Sequence, residues 1–190
     1  DLGNKAKIKK ITFIGDRIFK DGKLRSILIS EEYKFWKFIS GKKFLNENII
    51  KIDQRLLKNF YLNKGFYNIK INSSFAKILN QNEFELIYNI DAGDKIYFND
   101  FTLNLPNDYE PENYKRINKI FADLKGEYYS LYHVEKILNQ IENITVNDQF
   151  ESVDVQIEEK IISNKIDIIF NINETKKFYV KKINILGNNV

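Results

Sequence analysis

The chain holds one histidine, His133, and no cysteine. A nucleophile needs a base within reach, and the sequence offers His133 neither a cysteine partner nor an identifiable triad. It stands beside Val134 in a stretch of helical periodicity and reads as a surface or boundary residue. Without cysteine there is no disulfide, no thiolate nucleophile and no thiolate metal cluster. Paired carboxylates are the next candidates. Glu158 and Glu159 fall in a strand-like run, where neighbours point to opposite faces and cannot share a substrate. Glu31 and Glu32 read as a solvated loop pair, and the 8 glycines are scattered singly, so no phosphate-cradling loop is present. Catalysis, cofactors, metals and a small-molecule substrate are therefore not expected. What remains is main-chain chemistry. Asn68, Lys70 and Asn72 alternate with Tyr67, Ile69 and Ile71, with no proline and no inward charge to block pairing. On an exposed sheet edge such a strand offers N–H and C=O groups to an extended peptide.

The elements that would position that strand can be read in order. Residues 8–14 are β-branched and aromatic and end at Gly15, which predicts a strand closed by a turn over 16–19. Asp21 is expected to cap a short helix over 23–29 with Leu24, Ile27 and Leu28 on one face. A cluster of Tyr33, Phe35, Trp36 and Phe38 follows. Trp36 reads as core packing first and as a partner anchor second, since Trp is enriched at interface hot spots. Asn46 should cap a long helix whose stripe is Ile49, Ile52, Leu56, Leu57 and Phe60, ended by Gly65 in the left-handed conformation. Residues 66–71 and 83–90 then form an antiparallel hairpin around a polar turn at 80–82. The order is strand, helix, helix, strand, strand.

The same order recurs. A strand over 96–105 ends at Pro106, and Pro111 opens a helix to about 124. Ser130 is expected to cap a second helix lined by Val134, Ile137, Leu138 and Ile141, and hairpin strands lie at 150–158 and 165–173. Val153, Val155 and Ile157 alternate with Asp154, Gln156 and Glu158, which predicts a sheet with one wet face. The stretch 171–187 matches 89–105, and a truncated copy lies at 1–15, with Ile11, Phe101 and Ile183 equivalent. A period of roughly 80 to 90 residues is too long for a solenoid repeat and suits a small complete domain. The expected division is a first unit over 1–92, in which 1–6 close a preceding unit, a second over 93–175, and the first strand of a third over 176–190. A start and a stop inside repeats, with no Met, point to a segment of a longer chain.

Charge is uneven. Residues 1–92 carry 18 Lys and Arg against 10 Asp and Glu, and residues 93–190 carry 12 against 16. Solvated Lys- and Asn-rich faces explain this most simply, and an acidic partner, an anionic lipid surface or a nucleic acid is the sharper alternative. As a nucleic-acid-binding module, however, the chain lacks RNP-type motifs, and its aromatics alternate with aliphatics as core residues do. No nucleic-acid partner is expected.

At L-L-K-N-F-Y-L-N-K-G-F, residues 56–66, and at I-T-F-I-G-D-R-I-F, residues 11–19, the chain resembles the POTRA domains of the Omp85 family. The aromatic cluster near Trp36 and the ending F-Y-V-K-K-I-N-I-L-G-N are similar to a third repeat and the start of a fifth. Asp16 replaces the usual Asn, and Leu105-Pro106 stands where a Gly-Asn turn is expected. The resemblance implies α+β units, each β-α-α-β-β with a three-stranded sheet covered on one face by two helices. It also implies a non-catalytic periplasmic part of an outer-membrane protein of a Gram-negative bacterium, with a membrane β-barrel at the C-terminus of the full-length chain. The implied partners are accessory lipoproteins and unfolded outer-membrane protein clients, docked partly by β-augmentation at Tyr67, Asn68, Ile69, Lys70, Ile71 and Asn72, with Trp36 a further contact. A related translocation pore carrying POTRA arrays is the alternative within that family.

Overall fold

The computed structural model describes residues 6–16, 18–34, 44, 46–147 and 153–174. Trp36, Phe35, Phe38, Gln149 and the strand expected over 176–190 lie outside them. The elements run β1 (Lys7–Gly15), α1 (Asp21–Arg25), α2 (Glu47–Leu62), β2 (Lys70–Asn80), β3 (Glu83–Asp91), β4 (Tyr97–Asn104), a 3-10 turn at Pro111–Tyr114, α3 (Lys115–Leu124), α4 (Leu131–Asn147), β5 (Val153–Ile162) and β6 (Lys165–Glu174). They build two three-stranded sheets, ordered β1-β3-β2 and β4-β6-β5. In each sheet the outer first strand lies parallel to the central one and the hairpin partner antiparallel. The parallel pair requires a crossover, and the helices supply it. The α+β class and the β-α-α-β-β order are as the sequence predicts.

Both sheets bury one face. On β3, Leu86, Tyr88 and Ile90 are inaccessible, and on β6 Ile166, Ile168, Phe170 and Ile172 play the same part. Period-2 burial of this kind is what a half-solvated sheet imposes. β1 keeps both Ile8 and Ile11 inside although they are three residues apart, because the register shifts between Ile8 and Lys10 and leaves Lys9 and Lys10 both outside. The I-K-K-I pattern is thus a β-bulge. β4 repeats it, with a register shift between Phe98 and Phe101. Gly15 ends β1 at φ +91°, and a Cβ there would stand 2.0 Å from the Ile90 carbonyl oxygen. The next residue, Asp16, accepts the Ala92 N–H at 2.8 Å, so the acid in place of the usual amide still closes the turn.

Asn46 caps α2 as expected, accepting from Asn48 and Ile49 N–H groups. The core-facing stripe differs. Leu57 and Tyr61 are fully buried, Ile50 and Phe60 pack beside them, and Ile49, Ile52 and Leu56 are part-exposed. The face is rotated because its third turn is filled by an aspartate. Asp53 is 0% exposed and accepts from Ile29 N–H at 2.6 Å, from Ser30 N–H and from the Tyr88 hydroxyl at 3.0 Å. It fastens the loop after α1 to the helix and to the central strand. Burial first, then the Asp53 charge, pushes the Tyr88 phenol well above its ordinary value. The first helix is also shorter than expected: α1 covers only Asp21–Arg25, with Lys20 at the N-cap and Asp21 inside the first turn. Ile27 and Leu28 reach the core from the turn that follows.

Replacing Asp53 removes three acceptor contacts at once and strands two buried donors. Asp53→Ala should cost about 2–4 kcal/mol in urea unfolding, with Tyr88→Phe costing less because it leaves the carboxylate bound to both backbone amides.

Candidate partner-binding edge and the junction beside it

Each sheet has two outer strands, and only one of each pair is covered. Along β1, Tyr33 N–H donates to the Ile8 carbonyl at 2.6 Å, the Glu32 carboxylate accepts Ile11 N–H at 3.0 Å, and Arg25 Nε donates to the Ile11 carbonyl. Lys7 also bridges to Phe44. Along β4, the segment 126–129 takes the outer groups: Tyr129 N–H donates to the Ile96 carbonyl, Phe98 N–H to the Glu127 carbonyl and Gly126 N–H to the Phe98 carbonyl. β2 and β5 have no such cover among the described residues. An uncovered edge of this length is a template for another strand.

Lys70, Ile71 and Asn72 lie on β2, as predicted, whereas Tyr67, Asn68 and Ile69 do not. Gly65 holds φ +94°. The chain after it turns again, with Tyr67 N–H on the Gly65 carbonyl and Ile69 N–H on the Phe66 carbonyl. It joins the ladder only where Lys70 meets Asp91. Alternation of apolar and polar residues over 66–71 looks the same in a turn that buries Ile69 as in a strand. The strand itself runs further than expected, to Asn80, and its polar centre hid it. Register shifts at Ile71/Ser73 and Ile78/Asn80 kink this edge. Ile78, at 68% exposed, and Leu79 project near its tip.

Tyr67 instead belongs to a junction between the two sheets. Its ring packs edge-on against Tyr129 with centroids 4.9 Å apart, and its hydroxyl donates to Glu159, which also receives the Tyr129 hydroxyl. Burial, then the bond to Glu159 and its charge, lifts the Tyr67 phenol to about 12. Glu158, as strand alternation requires, turns the other way and accepts from Asn171. Ser130 occupies the N-cap position of α4, its carbonyl receiving His133 and Val134 N–H groups. The expected side-chain cap is not its own. Asn63, at the C-cap of α2, places Oδ1 2.7 Å from Tyr132 N–H and accepts the Ser130 hydroxyl as well. The amide of one helix end therefore caps the helix of the other unit. Gly65 completes the contact: its carbonyl receives Ile96 N–H, and a Cβ on it would come within 3.0 Å of Tyr128 Cβ. Lys95 lies over the rings of Phe66 and Tyr128.

Among the other candidates, Glu32 is not a solvated loop residue, since it holds the β1 edge and pairs with Arg25 at 3.6 Å. His133 is part-buried in α4 against Tyr132, and burial followed by the Lys136 charge lowers its pKa. It lines a groove between α3 and α4 with Asp123, Lys136 and Gln140. Asn63, Asp53, Glu32 and Glu159 were missed in the sequence. A helix ending in Leu-Asn-Lys-Gly signals a C-cap, but nothing in it announces that the amide serves a different helix.

Residues 6–93 match the POTRA family model, described as a surface antigen variable number repeat. That match covers the first sheet and its helices, and the second sheet repeats the same strand order. It is 25% identical over 99% of its length to the outer membrane protein assembly factor BamA of Buchnera aphidicola, and 22% identical over all of it to BamA of Neisseria meningitidis serogroup B. The chain spans 30% and 24% of those relatives. Its fold matches the crystal structure of Haemophilus influenzae BamA POTRA3-5 with a TM-score of 0.68 at 15% identity, covering 97% of this chain and 72% of that one. The likeness of residues 6–93 to the POTRA model, the sequence similarity to BamA and the shared fold point the same way.

The cap donated by Asn63 is expected to contribute about 1 kcal/mol. Asn63→Ala should lower the urea midpoint by that amount and widen the range of angles between the two sheets seen in residual dipolar couplings, whereas Asn59→Ala on the exposed face of α2 should leave both unchanged. The Tyr67 phenol has a folded pKa raised above its unfolded value near 10, so the stability it contributes is complete below pH 10 and is lost as pH rises toward 12. Tyr67→Phe should flatten the fall of unfolding free energy between pH 10 and 12, measured by urea titration at each pH.

Proposed function

We propose that the chain is a non-catalytic periplasmic scaffold of an outer-membrane β-barrel assembly machine, and that it docks accessory lipoproteins and nascent outer-membrane proteins by β-augmentation on β2. The observation that carries this is the asymmetry of the first sheet's edges. Three side-chain or main-chain groups from the loops seal β1, while β2 presents its outer peptide groups bare among the described residues. Main-chain pairing gives affinity with little demand on client sequence, which suits an assembly factor that handles many different strands. The similarity to BamA supplies the context, and a β-barrel at the C-terminus of the full-length chain belongs to the same reading.

Within that reading the two sheets are the third and fourth POTRA units, divided near 92–93, and residues 176–190 begin a fifth. The edge used is Lys70–Asn80, which keeps Lys70, Ile71 and Asn72 as contact positions, gives Tyr67 to the junction and leaves Asn68 and Ile69 in the turn before the strand. Trp36 remains a contact candidate from the aromatic cluster.

Neighbouring residues of a strand point their N–H groups to opposite sides. One of Ala76→Pro and Lys77→Pro therefore removes a bond to β3, and the other removes only an outward N–H. The variant that keeps wild-type thermal stability should lose binding of an extended outer-membrane strand peptide by about tenfold or more, read by isothermal titration. Full binding by that stable variant would remove β2 as the docking edge.

A further inference from the structure

Beside β2 runs a groove of about 420 Å³ lined by Gln54, Arg55 and Lys58 of α2 and by Ile69, Lys70 and Ile71. Its floor is apolar, with Ile69 buried and Ile71 packed on the core. Its rim is cationic. The first unit's surface ion pairs lie away from it, joining Lys9 with Glu83, Lys10 with Glu85, Lys51 with Glu47, and Arg25 with Asp21 and Glu32. Arg55, Lys58 and Lys70 are exposed and form no ion pair with the described residues. The carboxylate closest in register, Asp91 opposite Lys70, does not pair with it either. Arg55 and Lys58 are three residues apart on a helix and so share a face, and that face overhangs the start of the open edge.

A strand laid along β2 turns alternate side chains toward the helix layer. There it meets three exposed cations that form no ion pair with the described residues. We propose that this groove recognises an extended peptide strand carrying Asp or Glu on the side turned toward α2, the carboxylates pairing with Arg55, Lys58 and Lys70. The inference rests on β2 being the docking edge, and it adds the chemistry that selects among strands. Main-chain bonds accept any sequence, and charges at the rim add rate and register to that affinity.

Two ten-residue peptides of alternating Thr and Val test it, one with Asp at two successive positions on one face and the other with Asn there, titrated into the isotope-labelled chain. Both should shift the amides of β2. The Asp peptide should bind about five- to tenfold tighter at low salt, an advantage of the size two exposed ion pairs give. That advantage should vanish in the Arg55→Gln/Lys58→Gln double variant, whose circular dichroism and melting temperature should stay those of the parent, and should shrink at high salt. Equal affinities with the β2 shifts retained would overturn the charge selection and leave the edge standing. No β2 shift with either peptide would remove the edge reading and this inference together. A single-stranded oligonucleotide that displaced the Asp peptide and bound the groove more tightly would make it a general anion site and overturn its assignment to a strand.

Discussion

A three-stranded sheet has more peptide groups on its edges than in its middle, and the fate of those groups governs this molecule. The central strands β3 and β6 are satisfied on both sides by the ladder. The parallel outer strands β1 and β4 are not, and each is sealed by loop segments brought back against it. In the first unit the seal uses a carboxylate and a guanidinium, Glu32 and Arg25, on the same residue of β1, Ile11. That arrangement positions the loop after α1, and Asp53 grips the same loop from the helix side through Ile29 and Ser30. The crossover is therefore tied down at both ends by polar bonds. What is left bare is the hairpin partner on the opposite edge.

The second constraint is at the end of α2, where one glycine and one asparagine serve two units. Gly65 turns the chain with a backbone conformation that side chains resist, and its missing Cβ is also what lets Tyr128 come close. Asn63 ends one helix with its backbone and begins another with its side chain. These bonds act together with the link between β3 and β4, where Ala92 N–H is held by Asp16 and Ile96 bonds both Gly65 and Tyr129. The relation of the two sheets is thereby set by capping chemistry. Tyr67 and Tyr129 add a shared hydroxyl–carboxylate contact through Glu159 at the same junction.

Much of the fold was legible because its signals are local or periodic. The first strand ended by Gly15, the Asn46 cap, Gly65, Pro111 and the 80–82 turn each act over a few residues. The β5 alternation of Val153, Val155 and Ile157 with Asp154, Gln156 and Glu158 is a clean period of two. The failures share a cause. Asp53 sits on a core face that hydrophobicity assigns to its apolar neighbours, because a buried acid is stabilised by partners 23 and 35 residues away in sequence. Tyr67 and Ile69 alternate with polar residues like a strand, yet the start of β2 is fixed by its partner Asp91, not by its own pattern. Ser130 carried the cap signal, but a cap acceptor can come from any chain segment that reaches the helix end. Long-range polar bonds leave no period in a sequence.

The candidate site follows from the same accounting. Catalytic sites concentrate titratable side chains with one another, and here the strongly shifted groups are tyrosines held by structural carboxylates: Tyr88 by Asp53, and Tyr67 and Tyr129 by Glu159. Their perturbation expresses burial at joints of the scaffold. The proposed docking edge draws instead on the outer peptide groups of β2, flanked by an apolar floor and three exposed cations that form no ion pair with the described residues. Because those groups belong to an edge strand kinked by two register shifts, the edge resists indiscriminate pairing along its full length. In the proposed docking a partner matches a short, twisted stretch and near Lys70 meets the charge of α2, so that selection comes from shape and electrostatics at the beginning of the strand and affinity from the backbone beyond it.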